Sequence, residues 1–144
     1  MTSAQLVLFA AVLAQVMLSF IVYLFLVRAR FAYASDPANL KPELAYDQSA
    51  WPIKARQISN SVTSQFELPV LFYVGVLFVF QTGAADWIFA ILAWIFAATR
   101  IIHALIHTGK NVVMQRFAFF LAGFIALAVF WIYLAMHVFS MGAL

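Results

Sequence analysis

Apolar residues run along this chain in four long blocks, about Ala4 to Val27, Ile53 to Gln81, Asp86 to Thr108 and Val112 to Phe139. Each is near the roughly 20 residues that an α-helix needs to cross a hydrocarbon core of about 30 Å. Four transmembrane helices are therefore predicted. Two connections, Gln81 to Asp86 (QTGAAD) and Thr108 to Asn111 (TGKN), are short enough to force their neighbours antiparallel. The long one, Arg28 to Pro52, carries the breaker pairs Asp36-Pro37, Lys41-Pro42 and Trp51-Pro52. The expected fold is all-α, an antiparallel bundle of four spans in a single domain over residues 1–144.

Polar residues inside the third block break this picture in an informative way. Arg100, His103, His107 and Lys110 fall at i, i+3, i+7 and i+10, within a sector of roughly 80° on a helix. A charge near the bilayer centre costs at least about 3 kcal/mol, so this stripe is expected to face partners or water. The second block supplies candidates. Arg56, Asn60, Thr63 and Glu67 lie within about 60° of one another along about 16 Å of helix. Pro69 removes a backbone donor and crowds the carbonyl of Gln65, so a kink is expected just beyond Glu67, with Gln65, Ser64 and Thr63 close enough to satisfy the freed groups. Counting depths from the shared end gives a ladder of Glu67 with Arg100, Asn60 with His103 and Arg56 with His107. The sequence leaves open whether the deepest rung lies within one subunit or between two. On the first block Gln15, Ser19 and Tyr23, with Ala10, Ala11 and Ala14 nearby, read as a helix interface.

Composition agrees: 144 residues, 67% hydrophobic and 9% charged, describe an integral membrane protein. The first block lacks a basic leader and exceeds the usual apolar length of a signal peptide, so it reads as a retained helix. With no cysteine, disulfides, thiolate ligands and cysteine nucleophiles are excluded. The net charge of +3 does not point to nucleic acid, because the basic residues sit between apolar spans. Arg28, Arg30, Lys41, Lys54, Arg56, Arg100, Lys110 and Arg116 lie in or toward the first and third connections. The positive-inside rule puts these in the cytoplasm and both termini on the other side. Trp51 and Trp87 read as interfacial anchors at opposite boundaries. No metal is expected at His103 and His107, whose nearest carboxylate is assigned to Arg100. Asp86 is far from the histidines and no nucleophile elbow is present, which argues against a Ser-His-Asp hydrolase. The absence of internal repeats argues against a transporter.

With the four spans, the long first connection, polar helix 2 ending in proline and the run from Arg100 to Arg116, the chain resembles the MAPEG family, the membrane-associated proteins in eicosanoid and glutathione metabolism. Phe66 to Tyr73 (FELPVLFY) looks like its bacterial branch, which would place the protein in the inner membrane. The spacing of Arg100, His103, His107, Lys110 and Arg116 is similar to the prostaglandin E synthase branch, with His107 where that branch has Tyr. The resemblance implies a homotrimer with glutathione sites between subunits, open to the cytoplasm, and lipophilic electrophiles arriving from the membrane lipids. By resemblance Arg28 would meet a glutathione carboxylate, Arg56 and Asn60 would hold its peptide groups, and Glu67, Arg100, His103 and His107 belong to the same site. Arg116 matches the arginine that stabilises the thiolate. The departures are Ser59 and Thr63, where the family pattern has Arg and Glu, and Phe117 and Phe120, where it often has Ser and Tyr. The function implied is a glutathione-dependent transferase or peroxidase. The alternative is a non-catalytic lipid-binding protein or scaffold of the same fold.

Overall fold

The computed structural model describes residues 1–141, and every regular element in them is helical. The helices are α1 (Ser3–Ala34), α2 (Ile53–Ser64), α3 (Leu68–Gln81), α4 (Trp87–Thr108) and α5 (Val113–Met141). Short 3-10 turns at Pro37–Asn39, Pro42–Ala45 and Gln48–Ala50 fill the connection from α1 to α2. Four stretches are long and apolar enough to span a membrane, with α2 and α3 together forming the second. The protein is thus an integral, multi-pass, all-helical membrane protein, as the hydrophobic pattern predicts.

The first span is longer than expected. Helix α1 passes Val27 and stops only at Ala34, just before Asp36-Pro37, because nothing in RARFAYA breaks a helix. This extension holds the connection down. The Arg30 guanidinium lies 4.8 Å from the Trp51 ring centroid and donates to Gln48 Oε1 at 3.1 Å. Trp51 Nε1 donates to the Leu44 carbonyl, and Asn39 Nδ2 to that of Tyr33. Trp51 therefore fastens the connection to α1. Within the last 3-10 turn the Ser49 hydroxyl and N–H both donate to Asp47, which keeps that carboxyl below its ordinary value.

The kink expected at Pro69 is a full break. Helix α2 ends at Ser64, residues 65–67 form a turn, and α3 restarts at Leu68 with proline in its first turn, where a missing N–H is harmless. Gln65 is buried at this break and accepts a hydrogen bond from Gln15 Nε2 at 2.9 Å. Ser19 returns its hydroxyl to the Gln15 carbonyl, and Tyr23 meets Phe66 edge-on. The polar positions of α1 therefore form a helix interface, as read from their spacing.

Above the break lies an aromatic core in which Phe72 stacks on Phe96 and Phe89 meets Phe130. Below it, Leu18, Val22 and Leu26 of α1 pack with Ile58, Val62 and Ala104. Asp86 caps α4 through the Phe89 N–H and accepts a 2.7 Å bond from the Tyr133 hydroxyl, tying the start of α4 to α5. Halfway along that pair, Gly123 sits where a Cβ would come 2.7 Å from Thr99 Oγ1 and 3.9 Å from Arg100 Cδ. Thr99 has little room to yield, because its hydroxyl donates to the Phe96 carbonyl and its χ1 is stiff. Gly123→Ala should cost about 1 to 3 kcal/mol through overpacking, and Gly123→Ala with Thr99→Ala should recover most of it. Thermal unfolding of the three variants in detergent checks this; a double variant no more stable than Gly123→Ala would place the strain elsewhere.

Candidate functional site

Three residues of the α4 stripe, Arg100, His103 and His107, are buried on one face, while Lys110 lies exposed beyond the helix end. Arg100 is wholly buried. Its Nη2 donates to the Ser64 carbonyl at 2.7 Å and to Ser64 Oγ at 2.8 Å. That carbonyl belongs to the last residue of α2, so Arg100 caps a helix terminus inside the membrane. The predicted rung from Glu67 to Arg100 is not what the single chain forms, since Arg100 Nε and Nη1 have no partner and Nη2 goes to Ser64. Two more side chains of α2 cap the end of α4. Lys54 Nζ donates to the carbonyls of Thr108 and Gly109, and Gln57 Nε2 to those of His107 and Gly109.

The depth matching is one residue out at His107, which meets Gln57 and not Arg56, and three residues out at Arg100, which meets Ser64 and not Glu67. The face differs as well. Lys54, Gln57, Ser61 and Ser64 look toward α4, while Arg56, Asn60, Thr63 and Glu67 lie turned by roughly 100° and are exposed. Exposed Asn60 and Glu67 line a cavity of about 320 Å³ together with Ser64, His103, His107 and Arg116, and with Val113, Phe117 and Phe120 of α5. One wall is polar and the other is aromatic and apolar. The imidazoles meet at 5.5 Å, nearly perpendicular, and the Nδ1 atoms of both are buried without a partner. His103 also leans on Phe120.

Arg116 enters from the start of α5, half-buried, its Nη1 held at 2.9 Å by Asn111 Oδ1. Asn111 adopts φ of 53°, a left-handed conformation that asparagine tolerates better than most residues. Asn111 and Gln57 are the site-building residues that the sequence did not single out, and Ser64 was named only as a partner for backbone groups freed by Pro69. Of the first two, Asn111 alone carried a signal, as the last residue of the TGKN turn. Arg56 lies outside the cavity, and Arg28 lines a separate groove with Phe25, Ala29, Ala32, Lys54, Ile58 and Thr108. Within one chain, the cavity thus gathers Asn60, Glu67, His103, His107 and Arg116, but not Arg28, Arg56 or Arg100.

The class this geometry defines is a four-span membrane protein with an amphipathic cavity and a half-buried arginine at its wall. The MAPEG family model matches residues 6–136, and the chain belongs to that family, which links it to glutathione and eicosanoid metabolism at the membrane. No curated protein and no solved structure gives a significant match.

Replacing Arg100 with methionine keeps bulk but strips the cap from Ser64, and should destabilise the fold by about 1 to 3 kcal/mol. Ser64→Ala removes only the hydroxyl bond and should cost about 1 kcal/mol. Unfolding in detergent ranks the two; equal losses would mean that the hydroxyl, not the helix carbonyl, is what Arg100 serves.

Proposed function

We infer that the protein binds glutathione in the cavity between α2, α4 and α5 and joins its sulfur to lipophilic electrophiles, with a leaving group displaced or a strained ring opened, or reduces lipid peroxides to alcohols and water as two glutathiones are oxidised to the disulfide. The observation that carries this reading is Arg116, fixed by Asn111 at the rim of a cavity with one polar and one aromatic wall. The residues fit the tripeptide. Arg116 offers a guanidinium to a carboxylate or thiolate, Glu67 an acceptor for the ammonium, and Asn60, His103 and His107 donors and acceptors for the peptide groups. Glutathione, when bound, supplies a soft sulfur nucleophile. Arg116 stabilises negative charge on that sulfur, as a nearby cation lowers a thiol pKa from about 8.5. Val113, Phe117 and Phe120 form the wall against which an apolar substrate packs.

The polar face of α2 supports assembly into a homotrimer. Arg56, Asn60, Thr63 and Glu67 are exposed on a membrane span, where lipid cannot satisfy them. A neighbouring copy covers this face, and through it Arg28 and Arg56 approach glutathione across the subunit boundary. Arg100 acts from behind the cavity, by holding the end of α2. The basic end of the bundle faces the cytoplasm, with the N-terminus on the other side; the predicted outward C-terminus lies outside the described residues.

A second reading has one specific observation in its favour. Phe117 and Phe120, where the family often has Ser and Tyr, make the cavity more apolar and suit a lipid carried without chemistry. Isothermal titration of glutathione into the detergent-purified protein decides between them. Binding in the micromolar to millimolar range is expected, weakened at least about tenfold by Arg116→Ala. No heat at saturating glutathione would sink the transferase reading and leave the lipid carrier.

A further inference from the structure

On the opposite side of α4 from the histidines, α1 and α4 leave an apolar groove of about 210 Å³, walled by Met17, Leu18, Ile21 and Phe25 on one side and Ile101 and Leu105 on the other. Toward the basic end it runs into the Arg28 and Lys54 groove, for Phe25 and Thr108 line both. From Ala14 to Phe25 the trough follows about 16 Å of helix, close to half of a hydrocarbon core of about 30 Å. It is one leaflet deep. Its mouth carries two cations, and no acidic residue lines either part.

Lys54 is held there in a defined place. Its ammonium has three donors, and the carbonyls of Thr108 and Gly109 take two, which keeps the third for another acceptor. Arg28, exposed one residue beyond the apolar run that ends at Val27, adds a second charge at the headgroup level.

We propose that this composite groove is a binding site for one anionic phospholipid, with an acyl chain laid between α1 and α4 and the phosphate between Lys54 and Arg28. The site lies outside the histidine cavity; Arg28 is shared with the glutathione reading above, so Lys54 is the cation that belongs to the lipid alone. An apolar trough alone would accept any acyl chain, so the fixed ammonium at its mouth gives the selectivity for negative headgroups.

Native mass spectrometry of the detergent-released protein, titrated with phosphatidylglycerol or with phosphatidylcholine of the same chains, tests this. One saturable phosphatidylglycerol per chain is expected, favoured about tenfold over phosphatidylcholine. Lys54→Gln keeps donors for the Thr108 and Gly109 carbonyls but removes the charge, and should abolish the preference. Leu105→Trp fills the trough at a lipid-exposed position and should weaken both lipids while leaving glutathione titration unchanged. A thermal melt confirms that each variant is folded. Equal retention of the two lipids, or a preference that survives both substitutions, would overturn the proposal. So would competition by glycerol phosphate alone, which would make the trough irrelevant. A Leu105→Trp variant that changes oligomeric state with unaltered lipid binding would assign the groove to a second copy instead.

Discussion

The second membrane span breaks before Pro69, and Arg100 closes the open end of α2 from α4. In water the open end of α2 would be solvated; in hydrocarbon each unpaired carbonyl costs several kcal/mol. Nη2 of Arg100 meets both the Ser64 carbonyl and the Ser64 hydroxyl, joining a positive charge to the negative end of a helix dipole. The price of burying a guanidinium is offset by closing a helix that would otherwise end unsatisfied. Gly123 is what lets α5 close over this contact, since any side chain there would strike Thr99. Proline, arginine and glycine on three spans are thus parts of one solution.

The break also determines where the cavity lies. Because α2 stops at Ser64, the turn at residues 65–67 carries Glu67 to the cavity wall while Gln65 is drawn the other way, into its bond with Gln15. Residues two apart would also lie about 200° apart on a continuous helix, but there the N–H of residue 68 would take the Ser64 carbonyl, which the break leaves free for Arg100. At the basic end, Lys54 and Gln57 cap α4. The second and third spans therefore close each other's ends, at Ser64 and at Gly109. His103 and His107 lie between these two fastenings, on a stretch of α4 with little freedom to shift.

The four spans, their order and the site of the break were legible in the sequence because apolar run length and proline are strong local signals. The register of α2 against α4 was legible to within three residues, since two short turns limit how antiparallel helices can slide. The partner of Arg100 was not. A carboxylate is visible in a sequence as Glu67, whereas the carbonyl of Ser64 belongs to every residue and becomes an acceptor only once the helix ends there. The same blindness hid the roles of Lys54 and Gln57, which bond to carbonyls of α4. Choosing partners by side-chain type turned the predicted polar face by about one residue, from Ser64 and Gln57 to Thr63 and Arg56. The extra length of α1 was hidden differently: a hydropathy boundary at Val27 marks the end of the hydrocarbon, not of the helix.

That rotation leads to the chain's most general physical problem. With Ser64 and Gln57 serving α4, Arg56, Asn60 and Thr63 of α2 and Glu67 of the turn that follows face outward, and Arg56 and Glu67 are charged. A monomer in lipid would expose Asn60, Thr63 and Glu67 at depths where water is scarce, at a cost that packing of the described helices does not repay. The cavity meets part of this demand by giving Asn60 and Glu67 a polar chamber shared with His103, His107 and Arg116. Thr63 turns its hydroxyl back to the Ser59 carbonyl. Arg56, in the first turn of α2, lies near enough to the Asp47 carboxylate of the connection to stabilise its charge. The residues that make this span a poor lipid-facing helix, Asn60 and Glu67, are thus the same ones that give the cavity its polar wall.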